Sequence, residues 1–508
     1  MKGLVINKMK RVSEEVTIDK IEKWDETDII TICAGTGVGK SYFIKNNLYA
    51  MAKRDGNKIL MLIHRTNCIT QFEEEIIRDK KTDVIDIMTY QRLEYMFLKG
   101  SYKDLSDYQY IICDEFHYFM SDASFSKTTD ISLNMILEQL FTTKIFMSAT
   151  GDYMKKYINE VKGIETIDYK LDITYGFIKK LTFYYTDEYL ETYIENAIAS
   201  NSKTIIFLQS ATKAYELYKK YKKHCLFNCS KNNAKYYKQV KKTKIKDMLI
   251  NERFEELILI TTTCLDAGVN IIDESINHVL ADVEDTGVII QCIGRKRIQN
   301  PDDKIFLTIK AISNTSLGGK TTQLNKKLKM AEFLKTHTNK EFITEYQREC
   351  DLNNMVYDVA VKEDDKGTKK VNDLMYFKCK NDLTEIEKML ELGKYGYCAY
   401  MKGLFGMDGY TVIEKQNKEN ELVDYMNKIV GKRLLKDEQN ELAIKVDIKK
   451  NGRLLKSYGS LNAYFLEDDI NFMIKTSTDR VRKLKDGFEN PQYGLLYWTI
   501  YKIIDKSV

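Results

Sequence analysis

An α/β fold, two tandem parallel sheets followed by a mainly helical C-terminal region, is predicted by three features of this 508-residue chain. Between residue 29 and about 310, short apolar runs alternate with longer amphipathic stretches. Glycine-rich and acidic motifs stand where those runs end. Beyond about residue 320 the pattern changes to helical segments rich in Lys and Glu. Runs that are apolar at every position predict strands buried on both faces. Helical stretches between such strands predict parallel crossovers.

In chain order the predicted strands are Ile29–Cys33, Ile59–Ile63, Tyr110–Cys113, Lys144–Met147, Thr204–Leu208, Leu257–Ile260, His278–Ala281 and Lys304–Ile309. The run Leu171–Leu181 carries no chemistry and reads as the connection between the two sheets. The expected domains are 1–175, 176–320 and 321–508. The last is mostly helical with a small β element, and is interrupted by the charged, Gly-containing stretch Lys362–Lys370. No internal repeat is visible.

Composition sets bounds on function. Hydrophobic content of 44% suffices for several cores, and only 2 prolines and 25 glycines leave little room for long linkers. The net charge of +5 is mildly basic, which permits a nucleic-acid partner without requiring one. Cys33, Cys113 and Cys264 lie inside apolar strand-like runs, the pattern of reduced thiols. Cys225 and Cys229 beside His224 have a spacing that suits a metal, but no second pair follows, and packing in a core is the preferred reading. Met1–Val16 mixes charges and lacks the apolar stretch of a signal peptide. No run reaches the roughly 18 apolar residues of a membrane span. The expectation is a cytoplasmic protein with no membrane partner.

The first motif is Ala34-Gly35-Thr36-Gly37-Val38-Gly39-Lys40-Ser41, between a strand and a helix. Glycines there let backbone N–H groups turn inward around phosphate oxygens, at the positive end of a helix. Lys40 is placed to reach the β- and γ-phosphates, and Ser41 to ligate Mg²⁺. The second is Asp114-Glu115-Phe116-His117, at the end of the run Tyr110–Cys113. A carboxylate at a strand tip suits a hydrated Mg²⁺, and its neighbour suits the orientation or deprotonation of a water. The implied cofactors are ATP and Mg²⁺.

In their order these motifs resemble those of superfamily 2 helicases, specifically the DExH group. Ala34–Ser41 is similar to motif I and Asp114–His117 to motif II. His64-Arg65-Thr66-Asn67 stands where motif Ia lies, Thr89-Tyr90-Gln91 where motif Ib lies, and Ser148-Ala149-Thr150 matches motif III. In the second sheet, Ile205–Ser210 resembles motif IV, Thr262–Asn270 motif V and Gln291–Arg297 motif VI. The resemblance spans about residues 29–310 and implies two RecA-like domains. It assigns catalysis to Lys40, Asp114, Glu115, Gln291, Arg295 and Arg297. Nucleotide binding falls to Gly35, Thr36, Gly37, Val38, Gly39, Lys40, Ser41, Gly268 and Asn270, and metal binding to Ser41 and Asp114. Nucleic-acid contact falls to Arg65, Thr89, Gln209 and Thr262. Coupling between nucleotide and nucleic acid falls to His117, Ser148 and Thr150.

The implied activity is ATP-driven unwinding of, or movement along, nucleic acid, with DNA favoured over RNA. The alternative is a nucleotide-controlled binding module with weak turnover, such as a replication initiator or recruitment platform. Three departures bear on that choice. Cys292 stands where motif VI usually has Arg, and Arg297-Ile298 where it ends Gly-Arg, so Arg297 lies one position before the usual second arginine. Some phage and origin-binding relatives share this ending; with the Lys, Ile, Asn and Tyr bias of an AT-rich genome, it points to a bacterium or its mobile elements. Asn270 replaces the frequent Asp of motif V, and no Q motif precedes Ala34.

Three further patterns invite readings. Lys235, Lys238, Lys242 and Lys246 fall at helical spacing and predict one basic stripe on one helix, either a phosphate-binding face or a solvated one. Tyr395, Tyr397 and Tyr400 near Lys402, and the tail from Arg480, Arg482, Lys483 and Lys485 to Tyr497-Trp498, mix aromatics with base. Core packing is preferred over base stacking for both. The C-terminal region is also where a protein partner would be recruited.

Overall fold

The computed structural model describes residues 10–503 apart from 36, 65, 101–104, 125, 127–128, 172–173, 266–269, 347–353, 360–367, 414–415, 451–452 and 468–469. Its first sheet contains β1 (Ile29–Cys33), β2 (Ile59–Ile63), β3 (Ile85–Thr89), β4 (Tyr110–Asp114), β5 (Thr143–Ser148) and β6 (Ile167–Lys170), in the spatial order β3-β2-β4-β5-β1-β6. All its pairings are parallel. The continuous apolar runs have a direct cause. On β4, Ile111 and Cys113 enter the core on one face, while Tyr110 and Ile112 enter the core on the other.

The second sheet contains β7 (Ile178–Tyr184), β8 (Lys203–Leu208), β9 (Cys225–Asn228), β10 (Ile258–Thr262), β11 (Ile276–Asp282) and β12 (Ile305–Lys310). These run in the order β7-β12-β11-β8-β10-β9, all parallel, with the short strand Thr411–Ile413 beyond β7. The fold class is therefore the expected one. The run Leu171–Leu181 is not only a connection: Ile178–Leu181 forms the first half of β7, paired with β12. Lys179 and Lys180 are exposed there, which breaks the apolar run that marks the other strands.

After β12 the chain builds the helices Asn314–Thr336, Asn339–Tyr346, Asp373–Glu391 and Gly396–Leu404, with a hairpin of Val356–Val359 against Thr368–Val371. With the first sheet and its flanking helices as lobe 1 and the second sheet and its helices as lobe 2, two of these later helices belong to both. Leu328, Met330 and Ala331 of the first lie in the core of lobe 1, and Leu317 in that of lobe 2. Leu374, Met375 and Cys379 of the Asp373–Glu391 helix lie in the lobe-1 core, and Ile386 and Met389 in the lobe-2 core. By compactness the chain divides into residues 1–412 and 413–508.

The second unit has its own core around Met426, Leu442, Leu461, Phe465, Trp498 and Ile500. Its helices are Gln416–Ile429, Lys436–Val446 and Tyr458–Glu467, and its antiparallel sheet joins Arg433–Leu434, Leu496–Lys502 and Phe472–Thr478. No helix among the described residues is long and apolar enough to cross a membrane.

Three sequence expectations resolve on packing. The lysines at 235, 238, 242 and 246 do not share one helix, because Ala234–Tyr237 and Lys242–Asn251 are separate helices. Val240 between them is buried, and burying it turns the chain. Tyr397 is buried, with Tyr395 and Tyr400 packed against the lobe-2 core. Cys225 and Cys229 are both buried.

Candidate nucleotide-binding cleft

The glycine-rich loop leaves the end of β1. Gly37 and Gly39 hold φ of +85° and +89°, a backbone region that side chains disfavour, so glycine is required at both. Lys40 opens the following helix, its Nζ 3.4 Å from Ala34 O and 3.4 Å from Glu115 Oε1. The loop is backed by an N-terminal helical turn: Val12 N–H donates to Val38 O at 3.0 Å, and Val12, Val16 and Ile21 enter the core beneath.

Asp114 ends β4, and Tyr90 Oη donates to its carbonyl at 2.9 Å. Glu115 adopts φ +50°, a strained conformation for a non-glycine residue that aims its carboxylate back toward Lys40. Burial, then the Glu115 charge, pushes the Asp114 carboxyl up to about 6. Burial also pushes Glu115 up, but the Lys40 charge, the His117 hydrogen bond and Arg295 outweigh it and hold Glu115 well below the usual carboxylate range.

A directed hydrogen-bond chain reaches Glu115 from lobe 2. Gln291 Nε2 lies 2.6 Å from His117 Nε2; the amide N–H must donate, which places the imidazole proton on Nδ1. His117 Nδ1 is 2.8 Å from Ser148 Oγ, which in turn donates to Glu115 Oε2 at 3.2 Å. Thr150 N–H also donates to Ser148 Oγ, at 3.0 Å. Lobe 1 thus meets the helix Thr286–Ile293 of lobe 2 through the very carboxylate that its own loop lysine faces.

Arg295 is buried, with its Nε donating to Gln291 O at 3.2 Å. Arg297 Nε donates to Asn270 Oδ1 at 2.7 Å. Its Nη1 is buried without a hydrogen-bond partner among the described residues, and lies 3.2 Å from where a Cβ on Gly37 would stand. Burial, then Arg295, pushes the Arg297 guanidinium down to about 10. One cleft is lined by Gly37, Gly39, Lys40 and Ser41 of lobe 1, by Asp114 and Glu115, and by Asn270, Gln291, Arg295 and Arg297 of lobe 2.

Two parallel sheets thus present a phosphate-type loop and paired guanidinium groups to the same gap. The fold is the pair of tandem parallel sheets that the sequence predicts. No family model matches the chain, and no curated protein does. Among solved structures it is similar to S. cerevisiae Dbp5 bound to RNA and ADP BeF3, at 17% identity and a TM-score of 0.42 over 56% of this chain and 79% of that one. Mss116p bound to ssRNA and AMP-PNP is similar at 16% identity and a TM-score of 0.44, over 59% of this chain and 69% of that one. The DUF1998 helicase MrfA bound to DNA and AMPPNP is similar at 13% identity and a TM-score of 0.40, over 58% of this chain and 47% of that one.

The remaining candidate positions fall as follows. Thr36, Arg65 and Gly268 lie outside the described residues. Gly35 precedes the turn, and Val38 packs against the lobe-1 core. Thr89 caps the helix Tyr90–Leu98, its side chain accepting from Arg92 N at 2.9 Å. Gln209 lines the cleft, and its Oε1 accepts from Glu284 N at 3.3 Å. Thr262 is buried at the end of β10. Sequence reasoning missed Glu252, which lines the cleft at φ +53°, and Tyr90 as a support for Asp114. Neither carries a local signal: one follows a helix and the other is a buried aromatic.

Proposed function

We propose that the chain is a nucleic-acid-dependent ATPase that unwinds or moves along nucleic acid, DNA before RNA. The observation that carries this reading is the unpartnered Arg297 Nη1 of lobe 2, held beside the loop glycine Gly37 of lobe 1. A buried guanidinium nitrogen with no acceptor is costly unless an anion joins it. The γ-phosphate of ATP, bound at that loop, is the anion that would supply the missing acceptor.

Ser41 and Asp114 offer hard oxygen donors to the same cleft and fit Mg²⁺. When bound, Mg²⁺ would neutralise phosphate charge and orient the chain of phosphates. Lys40 and the loop N–H groups bind the β- and γ-phosphates. Glu115, kept ionised by Lys40 and by the hydrogen bonds arriving from His117 and Ser148, accepts the proton of the attacking water. Arg295 and Arg297 neutralise charge that builds on the transferring group, an effect worth about 10³–10⁵ in rate for such arginines. Because the two arginines and Gln291 belong to lobe 2, opening of the cleft dismantles the site, and closure assembles it. The short ending of motif VI therefore does not argue for a weak binding module, since Arg297 reaches the loop from its displaced position.

The test is ATP turnover measured with and without single-stranded and duplex DNA and RNA. Nucleic acid is expected to stimulate it. Glu115→Gln should lower kcat by about 10²–10⁴-fold, and Lys40→Ala should abolish turnover. Undiminished turnover in both variants would sink the assignment.

A further inference from the structure

The C-terminal unit carries a second surface of defined chemistry. Its antiparallel sheet turns Phe472, Ile474, Trp498 and Ile500 into the core. Side chains alternate along a strand, and directly paired residues share a face. The register pairs Met473 with Tyr501, Lys475 with Thr499, and Ser477 with Tyr497, while Arg433 pairs with Thr499. The face turned away from the core therefore presents Tyr497, Tyr501, Lys475 and Arg433. Tyr501 is 45% exposed, and Lys475 and Arg433 are exposed.

The cations are already seated on the rings. Arg433 lies 4.7 Å over Tyr497, and Lys475 lies 5.1 Å over Tyr501. Arg433 is also held by an ion pair of 2.9 Å to the buried Asp479. Asn462 locks the neighbouring helix to the sheet, donating to Ile474 O at 2.9 Å and accepting from Ile474 N at 2.8 Å. The face is therefore pre-organised.

The loop that joins the two longer strands extends this surface. It is ordered by its own hydrogen bonds, including Asn490 N–H to Arg482 O at 2.8 Å and Arg482 Nε to Tyr493 Oη at 3.0 Å. Yet it exposes Arg480, Arg482, Lys483 and Lys485, with Phe488 73% and Tyr493 47% exposed. Residues 471–503 hold six Lys or Arg against three Asp or Glu (Asp479, Asp486 and Glu489). An anionic polymer is the partner that this balance fits.

We infer that the sheet face of Arg433, Lys475, Tyr497 and Tyr501, with its basic loop, binds single-stranded nucleic acid outside the motor cleft. Cations along the face meet phosphates, and tyrosine rings stack on bases, which only an unpaired strand can offer. The choice of nucleic acid as the polymer rests on the proposed function; the location of the site does not.

The test uses the full chain without nucleotide. Binding of labelled oligo-thymidylate is followed by fluorescence anisotropy, and strands containing 4-thiothymidine are photo-crosslinked and mapped by mass spectrometry. The Tyr501→Ser/Lys475→Ser variant should bind about tenfold more weakly, with parental melting and parental basal turnover. The Arg482→Ala/Lys483→Ala/Lys485→Ala variant should lower the slope of log affinity against log salt by about 2. Crosslinks should include the strand Leu496–Lys502. Parental affinity in both variants, crosslinks confined to residues 1–412, or equal competition by duplex would each overturn the proposal; the first would leave the face to a protein partner. Weakened binding in a chain that never turns over ATP would sink the motor reading and leave this site standing. Turnover lost in Lys40→Ala with binding untouched by the sheet variants would do the reverse.

Discussion

Arg297 and Asp114 are the residues whose surroundings most constrain what they can do. Arg297 keeps a buried guanidinium nitrogen without an acceptor among the described residues, and a phosphate bound beside Gly37 would supply one. Arg297→Ala should therefore lower kcat by about 10³-fold or more while leaving the fold intact; a loss below about tenfold in single-turnover kinetics would remove it from the reaction. Asp114, pushed up to about 6, makes a pH prediction with two signs. As pH falls through about 6 the carboxyl gains a proton and no longer serves Mg²⁺, so Mg²⁺-supported nucleotide binding should weaken. In the ligand-free chain the stabilising contribution of this group is fully present below its unfolded pKa and is lost as pH rises through about 6. Asp114→Asn should thus melt higher than the parent near neutral pH, the gap closing as pH falls through that window. Glu115 slopes oppositely, its stabilising contribution fading as pH drops below the ordinary carboxylate range. Melting curves of parent and Asp114→Asn across pH decide this: a constant gap would refute it.

Glycines separate elements that tolerate a side chain from those that do not. A Cβ on Gly396 would stand 1.8 Å from the carbonyl oxygen of Met389, where the helices Asp373–Glu391 and Gly396–Leu404 meet. Backbone must move to admit it, so Gly396→Ala should cost about 1–3 kcal/mol. Gly319, mid-helix in Asn314–Thr336, has nothing within 4 Å of its Cβ position, and Gly319→Ala should stabilise by about 0.5–1 kcal/mol. Denaturant titration of both checks the contrast, and equal effects would contradict it. The elements also show what the sequence could disclose. Strands such as β1, β2 and β4 were legible because both faces are buried, leaving unbroken apolar runs. Edge strands were not: β3 carries Asp86 within Ile85–Thr89, β6 is largely exposed, and β9 is only 4 residues long. Of the cleft, Lys40 and the acidic pair were readable because backbone chemistry demands a local spacing. The pairings of His117 with Gln291 and of Arg297 with Asn270 were not, since they are tertiary contacts between residues 174 and 27 positions apart, respectively.

At the scale of the molecule, the notable fact is that lobes lining one cleft also share their cores. The helix Asp373–Glu391 gives Leu374, Met375 and Cys379 to one core and Ile386 and Met389 to the other, and Asn314–Thr336 is divided in the same way. A lobe cannot swing away freely while its neighbour holds the other end of the same helix; motion must be a small roll or shear about that helix rather than a wide hinge. Such a brace also merges two folding units into one. Leu374→Ala and Met389→Ala, at opposite ends of it, should each cost about 2–5 kcal/mol. Both should shift the same cooperative transition, with amide exchange in β4 of lobe 1 and β10 of lobe 2 accelerated together by either substitution. If Met389→Ala loosens only β10, and Leu374→Ala only β4, the lobes are independent, and the coupling between Gln291 and Glu115 must be carried by the cleft contacts alone.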